Sequence, residues 1–121
     1  MTKDEIERIS EKLGWRVHWC ASIDAEYKRC LYCEFWKRSP AGEDFSFVAH
    51  YTTADDIVKN VLRYSQAFDV DKHIETWISE KKSGVSGIPD NTTLVFDAEA
   101  IDYMVAELAT ALVEAQEAEN E

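Results

Sequence analysis

Two cysteines separated by two residues, Cys30-Leu31-Tyr32-Cys33, follow a third, Cys20, and histidines stand nearby at His18 and His50. Thiolate sulfur and imidazole nitrogen are the donors that zinc prefers, four of them in a tetrahedron, and three cysteines with one histidine form a common structural set. The runs around these residues read as extended. Cys20 closes a first strand and Cys30 opens a second, so the two are expected to face each other across a hairpin. His50 falls near the end of a third strand, beside the second. The predicted metal set is therefore Cys20, Cys30, Cys33 and His50. His18 shares a face with Cys20 and competes for the fourth position. Four protein ligands leave no open coordination site, so this zinc would be structural, contributing roughly 10 kcal/mol or more in apparent binding terms. The competing reading is three reduced cysteines packing as small hydrophobes. A redox role fits less well, because a thioredoxin-type pair opens a helix, whereas this one runs on into Glu34-Phe35-Trp36.

No other motif carries chemistry. The chain contains no H-E-x-x-H, no phosphate-binding loop, no nucleophile elbow and no dinucleotide fingerprint. A Cys–His nucleophile built on Cys30 or Cys33 ranks below a packing role. His73 falls in the first turn of a helix, where capping or packing is its ordinary work. The many carboxylates are expected to line solvated helix faces. Phe35, Trp36, Phe45 and Phe47 read as core, with Trp36 or Tyr103 as a candidate exposed anchor for a partner. The chain is not expected to be an enzyme.

The elements that must position these groups follow from periodicity. Residues 2–13 predict a helix, with Thr2 and Glu5 at capping-box spacing and Ile6, Ile9 and Leu13 on one face. Gly14 fits the position just past its end. WRVHWC, CLYCEFWK and DFSFVAHY are rich in aromatic and β-branched residues and predict three antiparallel strands. Residues 21–28 connect the first two, and Ser39-Pro40-Ala41-Gly42-Glu43-Asp44 connects the last two as a hairpin loop. Thr53 then caps a helix with Ile57, Val61, Leu62 and Phe68 on one side. Asp69 or Asp71 caps another that contains Ile74, Trp77 and Ile78. A loop over 83–91 follows, where Pro89 stops any helix, and residues 92–96 are ambiguous between a turn of helix and a strand. Residues 97–118 form the clearest helix, with Ile101, Met104, Val105, Leu108, Ala111, Leu112 and Ala115 on one face. The expected fold is thus α+β, a three-stranded antiparallel sheet with about four helices in the order α-β-β-β-α-α-α. One domain spans 1–121, with a frayed end at 119–121.

Charge is distributed unevenly along this framework. The net charge is −11, and the last basic side chain is Lys82. Beyond it stand nine acids and no base, whereas the rest of the chain is nearly neutral. Direct binding of bare nucleic acid is disfavoured, since phosphates would meet like charge. A basic protein surface is the favoured partner, because complementary fields speed and orient encounter. Asp102, Glu107, Glu114 and Glu117, with Glu99, fall on the outer side of the last helix and are the candidate partner-binding residues. Tyr103 and Val113 lie among them. Glu99 to Glu117 spans about 27 Å of helix, so these acids recur about every 5 Å. Duplex DNA carries a charge about every 1.7 Å. The helix alone is therefore too sparse for a full DNA mimic, although it can fill part of a basic channel. The competing reading is a solubilising face.

The charged N-terminus is not expected to act as a signal peptide, and no apolar run is long enough to span a membrane. The reading is a cytoplasmic protein with reduced cysteines and no membrane partner.

Two stretches, SPAGEDFSF at 39–47 and FDVDKHIETWISEKKSGVSGIPD at 68–90, resemble a family of small acidic proteins encoded on phages and conjugative elements of gut Firmicutes. The likeness continues into the acidic helix at 97–117. The chain looks like a zinc-containing anti-CRISPR protein directed at type II effectors. That resemblance implies a host bacterial cell as location and inhibition by steric binding, for instance by blocking target DNA loading or cleavage. Its motifs have no catalytic content. The alternatives are an accessory interaction domain of a mobile element without inhibitory activity, and an anti-restriction protein with partial DNA mimicry.

Overall fold

The computed structural model describes residues 1–23, 25–81 and 91–120. Its elements are α1 (Lys3–Lys12), β1 (Arg16–Ile23), β2 (Arg29–Arg38), β3 (Asp44–His50), α2 (Ala54–Ala67), α3 (Val70–Lys81) and α4 (Asn91–Glu119). The expected α+β fold and its α-β-β-β-α-α-α order are observed.

α1 begins where the Thr2 hydroxyl accepts from the Glu5 backbone N–H at 3.2 Å. It ends at Gly14, whose φ of +89° suits a residue without a Cβ, and Lys37 donates to the Leu13 carbonyl at 2.6 Å. α2 is held at its start by Asp56, whose carboxylate accepts from the backbone N–H groups of Thr52 and Thr53 and from the Thr52 hydroxyl. Those bonds favour the ionised form and hold the Asp56 carboxyl down to about 2, the Thr52 hydroxyl foremost. Asp69 caps α3, accepting from the Lys72 backbone N–H at 3.1 Å. Of the two candidate caps, the first is used.

The sheet is antiparallel in the order β1-β2-β3. Phe35 pairs with Val17 on one side and with Phe47 on the other. Residues directly opposite share a face, and faces alternate along each strand. Cys33, Phe35, Phe45, Phe47 and Ala49 therefore point to one side, and all five are buried. α1, α2 and α4 supply the rest of the core there, through Ile6, Ile57, Val61, Ile101, Leu108 and Leu112. Phe47 stacks on Phe35 at 5.2 Å between centroids and on Tyr64 of α2 at 4.3 Å, and Trp15 meets it edge-on.

Four expectations change in detail. Leu62 is exposed at the margin of α2, and Val58 takes the core position instead. Val113 packs against the core rather than facing solvent. The ambiguous residues 92–96 are helical and lengthen α4, whose buried Leu94 and Ala98 continue its apolar face. Within the end expected to fray, 119–121, Glu119 pairs with the Met1 ammonium at 2.8 Å. Of the loop expected over 83–91, residues 83–90 with Pro89 lie outside the described residues, and Asn91 opens α4.

Candidate functional site

Strand alternation separates the residues proposed as metal ligands. β1 runs on to Ile23, so Cys20 pairs with Tyr32, and Cys30 pairs with Ser22. The two cysteines do not face each other directly, as the shorter strand predicted, but lie diagonally on the same face. His50 pairs with Tyr32 from the other side, and His18 pairs with Glu34. His18, Cys20, Cys30 and His50 therefore share the face that no helix among the described residues covers, with Tyr32 among them. Its ring lies 5.8 Å from His50, and the charge and hydrogen bond of Cys20 raise the Tyr32 hydroxyl above its usual range. Cys33 stands on the opposite face, paired with Trp19 and Ala49, with no exposed surface.

The predicted set of Cys20, Cys30, Cys33 and His50 thus does not converge. The physical reason is the period of a strand: residues three apart point to opposite faces, so a C-x2-C pair in extended chain divides its sulfurs. Among the described residues no three His, Cys, Asp or Glu side chains are grouped to hold a metal ion. Burial pushes the Cys33 thiol up to about 12, helped by the charges of Cys20 and Glu7. It behaves there as a packed, protonated side chain.

The open face carries more than thiols. Arg16 stacks over Trp36 at 5.0 Å, Val48 is exposed, and none of its side chains is buried. Trp36, read both as core beside Phe35 and as a candidate exposed anchor, is half-buried on this outer side by the same alternation.

The second surface is the outer side of α4. Glu99, Glu114 and Glu117 are exposed, while Asp102 and Glu107 are half-buried along its flanks. Two large apolar side chains stand among them: Phe96 is 67% exposed and Tyr103 68% exposed. A shallow groove floored by Ala106, Thr110 and Ala111 runs between Tyr103, Glu107 and Glu114. Among the described residues, none of these five carboxylates has an ion-pair partner, whereas Asp44 pairs with Arg38 at 3.1 Å and Glu43 with His73 at 3.2 Å. No helix among the described residues is long and apolar enough to cross a membrane.

Two polar contacts that the sequence did not announce position these surfaces. Asp97, only 3% exposed, accepts from the Ser39 hydroxyl at 2.7 Å and from the Ala41 backbone N–H at 2.8 Å. It ties the β2–β3 loop to α4. His73, expected to cap or pack, packs among Phe45, Phe68 and Trp77 and joins α3 to the same loop through Glu43. A Ser-Pro loop and an Asp in a helix are ordinary signs taken singly. Their partners lie too far along the chain for spacing to connect them.

The geometry defines an α+β domain with two surfaces left uncovered among the described residues, one mixed and aromatic, the other acidic. No protein-family model, curated protein or solved structure matches the chain.

Proposed function

We propose that this protein acts by binding, as an inhibitor of a type II RNA-guided DNA nuclease. The acidic side of α4 docks on a basic surface that otherwise receives nucleic acid, and it blocks target DNA loading or cleavage. The observation that carries the binding role is the row of carboxylates on α4 left without partners among the described residues, with Phe96 and Tyr103 exposed in their midst. Isolated charges of one sign attract an opposite field, and exposed aromatics supply the anchor that charge alone lacks. The nuclease as partner follows from the resemblance to small acidic mobile-element proteins. The sparse spacing of the acids suits a segment of a nucleic-acid channel rather than its whole length.

The test is an interference assay with and without the protein. Expression is expected to rescue plasmid or phage DNA from a type II system. Changing Glu107, Glu114 and Glu117 together to Lys is expected to abolish rescue, and added salt to weaken binding of the parent protein. Equal interference with and without the protein overturns the inhibitory reading and favours a non-inhibitory accessory domain. Rescue from a restriction endonuclease instead favours the anti-restriction alternative.

A further inference from the structure

β1 is an edge strand, since the sheet order is β1-β2-β3. The backbone of Tyr51 donates to the Leu31 carbonyl at 3.1 Å, which makes 31 and 51 a hydrogen-bonded pair. Along β2, odd residues then bond toward β3 and even residues toward β1. By the β1–β2 register, Arg16, His18, Cys20 and Ser22 bond inward to β2. Val17, Trp19, Ala21 and Ile23 aim their N–H and C=O groups away from the sheet. Among the described residues no backbone hydrogen bond reaches that side of β1. The opposite edge is handled differently: Asn60 of α2 donates to the outward carbonyl of His50 at 2.6 Å.

β1 also lacks the devices that keep edges apart, having no proline, no lysine and no acid in RVHWCASI. In a chain of net charge −11 this strand carries only Arg16. A second copy is repelled by the acidic helix but meets no like charge along most of this edge.

We infer that β1 pairs antiparallel with β1 of a second copy about a twofold axis. The register follows from which groups point outward. Centring the axis on Cys20 pairs Trp19 with Ala21 and Val17 with Ile23, so all four outward residues of each copy are used, in about eight hydrogen bonds. Centring it on Trp19 leaves Ile23 without a strand partner and forms about six. The first register also covers Ile23, which is 71% exposed in the single chain. It places Cys20 opposite its own copy at a non-hydrogen-bonded position. There the Cα atoms lie about 4.5 Å apart, within disulfide reach. The edge is separate from α4, so this inference stands apart from the proposed inhibition.

The test uses the full chain. Sedimentation equilibrium under reducing conditions is expected to show a monomer–dimer equilibrium that salt strengthens, since screening relieves repulsion between acidic copies. Ala21→Pro removes an outward N–H without touching the bonds to β2. It is expected to weaken the dimer about thirtyfold while leaving the far-ultraviolet spectrum unchanged. Diamide, which takes up the two hydrogens of the thiol pair, is expected to give a covalent dimer lost in Cys20→Ser and kept in Cys30→Ser. A monomer at every concentration overturns the inference and points to a strand from another protein as the occupant of the edge. A dimer unaffected by Ala21→Pro, or cross-linked through Cys30, overturns it equally.

Discussion

The two faces of the sheet are built from neighbouring residues of the same strands, yet they live under different rules. Phe35 has no exposed surface and sits among Phe47, Val17 and the helices, whereas Trp36, next in sequence, lies half-open under Arg16. Cys33 is sealed, whereas Cys20 and Cys30 stand half-buried on the opposite side of the sheet. Residue type alone did not assign these roles. A tryptophan was left outside and a cysteine taken in, because the parity of the strand is set by Phe35, Phe45 and Phe47 together.

The contrast breaks most visibly at Phe35. Phe35→Ala is expected to lower the unfolding free energy by about 3–5 kcal/mol in urea, whereas Trp36→Ala costs less than about 1 kcal/mol. Comparable losses at both positions would mean that the outer face is covered in solution.

Asp97→Ala comes next. It leaves the Ser39 hydroxyl and the Ala41 N–H without their acceptor at a buried site, at an expected cost of about 2 kcal/mol in the same titration.

In the native protein, a thiol reagent is expected to modify Cys20 and Cys30, with Cys33 reacting only on unfolding. Cys33→Ser should destabilise by about 1–3 kcal/mol by burying an extra hydroxyl, and Cys20→Ser by less than about 0.5 kcal/mol. EDTA is expected to leave the Tm unchanged. A large drop would show that the sulfurs gather around a metal after all.

A further effect concerns pH. The Asp56 carboxyl titrates near 2 in the folded chain, below the ordinary value of about 3.9. A depressed carboxyl contributes stability above its unfolded value and loses it as pH falls through the folded one. Asp56→Asn is therefore expected to flatten the loss of stability between about pH 4 and pH 2, read as Tm against pH. Cys33 works in the opposite sense. Its raised thiol contributes stability that is complete below the unfolded value and lost as pH climbs toward about 12.

Much of the architecture was legible from the chain. Thr2 with Glu5, and Gly14 after Leu13, bounded α1, because caps answer a local need of unpaired N–H and C=O groups. Aromatic and β-branched alternation marked three strands, and the period of 3.6 placed Ile101, Met104, Val105, Leu108 and Leu112 on one side of α4. The metal set was not legible in the same way. It joined Cys30 to Cys33, which strand alternation sends to opposite faces, and the three further residues of β1 moved the pairing of Cys20 from Cys30 to Tyr32 as well. Leu62 and Val58 exchanged places for a similar reason, since the width of an apolar stripe says little about which margin a neighbouring helix covers.

The order of the elements and the acidic last third come from the chain alone. These depend on contacts within a few residues or on charge counts. Which face the helices cover, the reach of Asp97 to Ser39 and, among the described residues, the open edge of β1 come from packing. Each depends on groups far apart in the chain, and their meeting is settled by how whole faces pack, not by any local preference.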